Sequence, residues 1–81
     1  MTITVYSKPD CVQCTYTKKK LDEKHLAYTE LDISQDEAAR KVVEDSGNRQ
    51  MPMVVVKRRG RKDDVWHGFK LDNIRGLSKD S

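Results

Sequence analysis

The stretch that decides the fold is Thr2-Ile3-Thr4-Val5-Tyr6-Ser7-Lys8-Pro9-Asp10-Cys11-Val12-Gln13-Cys14. Thr2–Tyr6 is a β-branched run and predicts a strand. Ser7–Asp10 has turn chemistry. Cys11 then opens a helical pattern running to about His25, with Val12, Tyr16 and Leu21 expected on the core side. A cysteine pair at a strand-to-helix junction matters chemically. A helix N-terminus carries about half a positive charge and free N–H groups, and both stabilise a thiolate. Cys11 comes first and is assigned as the nucleophile. Cys14 lies three residues on, on the same helical face, placed to resolve a mixed disulfide.

Working outward, Ala27–Ile33 alternates and predicts a second strand. Ser34 and Glu37 form a capping box ahead of a helix over Gln35–Ser46, with Ala38, Ala39, Val42 and Val43 as its buried stripe. Gly47 and Asn48 suit its end. Met53–Val56 is a short apolar strand, Lys57–Asp64 (KRRGRKDD) a hairpin turn, and Val65-Trp66 the start of the return. Gly68 breaks that pattern. Leu71–Ser78 closes the chain as a helix, with Leu71, Ile74 and Leu77 on one side. The order β-α-β-α-β-β-α predicts an α/β domain with a mixed four-stranded sheet and three helices. The first β-α-β gives a parallel pair, and the later β-β gives a hairpin. Residues 1–81 are read as one domain, since 81 residues bury only about 60% of the unfolded surface and cannot carry separate cofactor and catalytic domains.

Composition narrows the partners. Charged and hydrophobic residues each make up 36% of the chain, and the net charge is +3. The segment KRRGRKDD holds five basic and two acidic residues, while the rest holds 11 of each, so the basic character is local. That disfavours a general nucleic-acid coating. It leaves a basic tip as a solvated turn, or as a small module for an acidic partner or nucleic acid. Only two cysteines, and no apolar run near the start or long enough to span a membrane, predict a cytoplasmic protein without a membrane role. In a reducing compartment a close cysteine pair favours redox or metal chemistry. A zinc site would need four ligands, and His25 and His67 stand at no usual spacing from the pair, so no metal is expected.

Two further segments carry signals. Met51-Pro52 before an apolar strand reads either as a trans proline at a strand start or as a cis-proline loop presenting backbone to the cysteines. Trp66-His67-Gly68-Phe69 reads either as a hydrophobic anchor for the last helix or as a rim that meets a partner.

The combination Tyr6-Ser7-Lys8-Pro9-Asp10-Cys11-Val12-Gln13-Cys14, Arg49-Gln50-Met51-Pro52 and Trp66-His67-Gly68-Phe69-Lys70-Leu71-Asp72 resembles the NrdH-redoxins, small glutaredoxin-like proteins with a thioredoxin fold. The resemblance runs from Thr2 to about Leu77. It implies a monomeric electron donor to class Ib ribonucleotide reductase. Such a donor holds no cofactor and is re-reduced with NADPH electrons through the flavin of thioredoxin reductase. It implies a Cys11–Cys14 disulfide in the cycle and a cis bond at Met51-Pro52. It also implies partner contacts at Lys8, Val12, Gln13, Met51, Pro52, Trp66, His67, Gly68 and Phe69. Three positions depart from the family pattern: His67 for the usual Ser, Lys70 for Arg, and Leu71 for Pro, which removes a pre-set first helical turn. The rival reading is a glutathione-dependent glutaredoxin. It is disfavoured because such proteins carry Gly-Gly and then Asp where this chain has His67-Gly68-Phe69-Lys70.

Overall fold

The computed structural model describes residues 1–78. Seven elements follow in the expected order: β1 (Thr2–Ser7), α1 (Val12–Glu23), β2 (Thr29–Asp32), α2 (Glu37–Asp45), β3 (Met53–Lys57), β4 (Asp64–His67) and α3 (Leu71–Arg75). The strands form one sheet in the order β2-β1-β3-β4. β1 and β2 run parallel, while β3 lies antiparallel to both β1 and β4. This is the mixed sheet of a thioredoxin-like fold.

Strand alternation sorts the core onto two faces. Ile3, Val5, Val54, Val56 and Trp66 meet Leu21 and Leu26 and, from the C-terminal segment, Ile74 and Leu77. The opposite parity, with Tyr6, Met53 and Val55, packs with Val43 of α2 and with Cys14 and Met51. Val5, Val54 and Trp66 stand in register across three strands, so the first face has a continuous apolar stripe.

Several expectations about packing are corrected. Val12 is 67% and Tyr16 50% exposed, so only Leu21 of the proposed α1 trio faces the core. The buried face of α1 is Cys14, Thr17 and Leu21. The apolar pattern missed it because a threonine sits at its centre. Thr17 tolerates burial by donating its hydroxyl to the Gln13 carbonyl at 2.8 Å. On α2 only Ala39 and Val43 are buried, while Ala38 and Val42 are exposed, because nine residues give a narrow contact stripe.

The cap of α2 is Asp36, whose carboxylate accepts from the Ala39 N–H at 3.0 Å. Ser34 instead donates its hydroxyl to Asp32, so the expected capping box does not form. Helix α3 stops at Arg75, short of the expected Ser78. Lys24, the residue that ends α1, caps α3 by donating to the carbonyls of Ile74 and Arg75 at 3.1 and 2.9 Å. The second strand is also shorter than Ala27–Ile33, and the fourth begins one residue earlier, at Asp64.

Candidate functional site: a dithiol at the ends of three strands

The register brings the separated motifs to one end of the sheet. Tyr6 pairs with Met53, and Met53 with His67. The end of β1 leads into the cysteine loop. The start of β3 follows Pro52, and the end of β4 leads into Gly68 and Phe69. These three segments therefore converge without any long loop.

Cys11 is the N-cap residue of α1 and is half-buried, whereas Cys14 is only 2% exposed. The two are joined as a disulfide with a Cα–Cα distance of 5.3 Å. The Cys14 N–H donates to the Cys11 sulfur at 3.2 Å. A thiolate formed at Cys11 inherits that donor and the positive end of a 12-residue helix. The asymmetry in exposure suits an attacking sulfur at Cys11 and a resolving sulfur held behind it. Asp10 precedes the pair at φ +57, a left-handed conformation that Asp tolerates better than most residues.

The Met51–Pro52 bond is cis. Met51 and Pro52 are both buried, and Met51 packs in the same cluster as Cys14. The Pro52 carbonyl accepts from the Gly68 N–H at 2.8 Å, which ties the proline loop to the segment after β4. His67 is within the same network, its Nδ1 lying 3.1 Å from the Gln50 carbonyl.

Gln13 makes the link back to the cysteine helix. Its side-chain oxygen accepts from the Phe69 N–H at 2.8 Å. Gly68 lies between Gln13 and Gln50 at φ +82. A Cβ there would sit 2.7 Å from the Gln50 amide nitrogen and 2.9 Å from the Gln13 oxygen. Both the backbone angle and the space therefore call for glycine. Trp66 is a core residue, as an anchor would be, while Phe69 is half-buried and leans on the exposed Tyr16 with ring centroids 6.0 Å apart. Trp66 is thus buried as the anchor reading expects, and Gly68 and Phe69 lie against Gln13 at the dithiol end of the sheet.

Lys8 is exposed and lines both clefts that reach Cys11. Val12 stands outward beside it. The larger cleft, about 670 Å³, also contains Cys14, Ser7, Lys18, Glu30 and Asp32. The smaller brings Arg49 and Gln50 next to Cys11, Gln13 and Met51.

Ser7, Lys18 and Glu30 were not anticipated as neighbours of the dithiol. Glu30 accepts from the Lys18 ammonium at 2.7 Å and from the buried Ser7 hydroxyl at 2.8 Å. The signal in the sequence is weak, because the partners lie on three different elements and meet only through the parallel β1–β2 register. The bonds from Lys18 and then Ser7 hold the Glu30 carboxyl below its ordinary pKa, against a smaller opposing effect of burial. A lowered folded-state value means that Glu30 adds stability above the unfolded carboxylate range, and that this is lost as pH falls through the folded value. Acid titration of stability should therefore be flatter for Glu30→Gln than for the unaltered protein, with the two curves converging at low pH. Urea denaturation across pH 2–6 checks this, and parallel curves would refute it.

A cysteine pair at a helix start, a cis-proline loop whose Met51 packs with Cys14, and a glycine-containing segment hydrogen-bonded to Pro52 and to Gln13 between the cysteines define a redox protein of the thioredoxin fold. The comparisons agree. The glutaredoxin family model matches residues 3–60. The glutaredoxin-like protein NrdH of Escherichia coli strain K12 is 31% identical over 77 residues, covering 95% of this chain and 89% of that protein. NrdH of Lactococcus lactis subsp. cremoris is 37% identical over 78 residues, covering 94% and 99%. Among solved structures, the E. coli NrdH-redoxin superposes with a TM-score of 0.84 at 30% identity, over 95% of both chains. The thioredoxin-like protein BC3987 gives 0.76 at 33% identity, over 91% of this chain and 96% of that one. The chain belongs to the glutaredoxin family, among its NrdH-type glutaredoxin-like members, and is a redox protein with a Cys11–Cys14 pair.

Proposed function

We propose that this protein donates electrons to class Ib ribonucleotide reductase and is re-reduced by thioredoxin reductase in the cytoplasm, acting as a monomer with no bound cofactor. The observation that carries this reading is the similarity to NrdH proteins over nearly the whole chain, together with a rim closed by its own side chains.

In the proposed cycle the Cys11 thiolate attacks one sulfur of a substrate disulfide. The substrate's other sulfur leaves as a thiolate and takes up a proton. Cys14, after losing its proton, attacks the mixed disulfide at Cys11 and releases the second substrate sulfur. The substrate leaves as a dithiol, reduced by two electrons, and the protein leaves with a Cys11–Cys14 disulfide. Thioredoxin reductase returns two electrons from NADPH through its flavin. Backbone beside Met51 and Pro52 aligns the substrate segment in an extended form. Lys8, Val12, Gln13 and the 66–69 rim shape its approach.

The rim supports this reading over glutathione dependence. The Phe69 N–H is already taken by Gln13, and the space over Gly68 is filled by Gln13 and Gln50. A coupled NADPH assay tests the choice. Thioredoxin reductase alone should sustain turnover of a disulfide substrate. Turnover that requires glutathione and its reductase would reverse the assignment.

A further inference from the structure

We propose that the tip of the β3–β4 hairpin is a docking element for an acidic protein surface, set at the end of the domain opposite the dithiol. The strand register carries the placement. Met53 and His67 pair at the dithiol end, whereas Thr2 pairs with Lys57 at the other. The five residues of β3 separate these ends by roughly 15 Å at ~3.3 Å per residue.

The charge is concentrated there. Residues 57–64 carry five basic and two acidic side chains, and the remainder of the chain is balanced, so the net charge of +3 belongs to this tip. Arg58 turns inward with its side chain 11% exposed and pairs with Asp64. Lys57, Arg59, Arg61 and Lys62 are exposed, and none of the four makes an ion pair among the described residues. Within residues 57–64, Asp63 is the one carboxylate left to oppose them. On α1 and α2, Lys18, Lys20, Arg40 and Lys41 are matched by carboxylates, and Lys19 alone of the cations in those two helices has no ion pair among the described residues.

The turn is also pre-shaped. The Arg61 N–H donates to the Arg58 carbonyl at 3.3 Å, and Gly60 takes φ +76. With Arg58 anchored beneath it, docking orders little further backbone, which lowers the cost of binding.

An acidic protein surface fits this tip better than nucleic acid does. Residues 57–64 contain no aromatic side chain on which a base could stack. Asp63 stands among the cations, and four cations on a convex turn meet few phosphates. An acidic patch of similar size offers matched charges and fast, salt-sensitive encounter.

The location has a mechanical consequence, which rests on the redox reading above. A partner held at the tip must bring its disulfide back past the length of β3, roughly 15 Å at ~3.3 Å per residue. That disulfide must therefore lie on a segment extending at least about five residues from the acidic patch. Docking then raises its effective concentration at Cys11.

The test is fluorescence anisotropy with a labelled polyglutamate peptide of about eight residues, a polyglutamine control, and a single-stranded oligonucleotide of equal charge. The full chain is compared with the combined variant Lys57→Gln, Arg59→Gln, Arg61→Gln, Lys62→Gln, which leaves Arg58 in place. At about 20 mM NaCl the unaltered protein should bind polyglutamate about tenfold more tightly than the variant, and the difference should fall below about twofold at about 300 mM. Variant binding within about twofold of the unaltered protein at low salt would overturn the proposal. So would an oligonucleotide bound about tenfold more tightly than polyglutamate. Circular dichroism and reduction of hydroxyethyl disulfide, both unchanged in the variant, show that fold and dithiol are intact. A failure of hydroxyethyl disulfide reduction in both proteins would count against the redox reading, while the anisotropy still decides the docking.

Discussion

Cys11→Ser protein should reduce a disulfide substrate at least about 1,000-fold more slowly than the unaltered chain, because a hydroxyl at this position supplies no usable nucleophile at neutral pH. The loss should appear in single-turnover experiments as well as in steady state. Cys14→Ser should behave differently. Its Cys11 can still attack, so a mixed disulfide should accumulate and be visible by mass spectrometry under non-reducing conditions. The structural basis is the difference in access: Cys11 is half-buried at the cleft, and Cys14 is 2% exposed behind it. Full turnover by Cys11→Ser, or an adduct that accumulates on Cys14 of Cys11→Ser while none forms on Cys11 of Cys14→Ser, would reverse the assignment of the two sulfurs.

The largest stability effect is expected at Leu21. Its side chain is fully buried at the centre of the face shared by α1, the sheet and the C-terminal segment. Leu21→Ala removes apolar contact and leaves a cavity, a change that costs about 2–5 kcal/mol. Small domains have only about 5–15 kcal/mol in total, so this variant should be partly unfolded at 37 °C or show a Tm lower by ten degrees or more. Val12→Ala gives the contrast. Val12 is exposed, and its loss should change stability by no more than about 0.5 kcal/mol. Equal destabilisation by the two substitutions would contradict the packing described for α1.

The contrast between Leu21 and Val12 also shows where a sequence can be read and where it cannot. The order of elements along the chain and the cysteine pair were legible because they depend on local signals: a β-branched run, a turn, and a helix start. The convergence of Cys11, Pro52 and Gly68 was one of two open readings of the residues, and the family resemblance decided between them. Residues so far apart in the chain are brought together by strand register, which no local pattern encodes. The buried face of α1 was misread because Thr17 occupies a core position by bonding back to Gln13. A rule that sorts residues by polarity places it outside. The cap of α2 was misread for a similar reason. Ser34 and Asp36 are both good caps, and the competition was decided when Asp32 captured Ser34. The Ser7–Lys18–Glu30 cluster gave no warning, since each residue alone is ordinary surface or strand sequence.

Gln13 sits between the two reactive sulfurs and yet spends its side chain on the Phe69 amide, 56 residues away. The motif's third position and the segment after β4 are therefore a single unit of variation. Exchanging the residue between the cysteines should drag the far segment with it. Grafting a foreign 66–69 segment should fail where it puts a side chain at position 68 or a proline at position 69, since the first meets the Gln13 oxygen and the second removes its donor. Among related sequences the two sites should be inherited as a matched pair, drifting together while the intervening chain diverges freely.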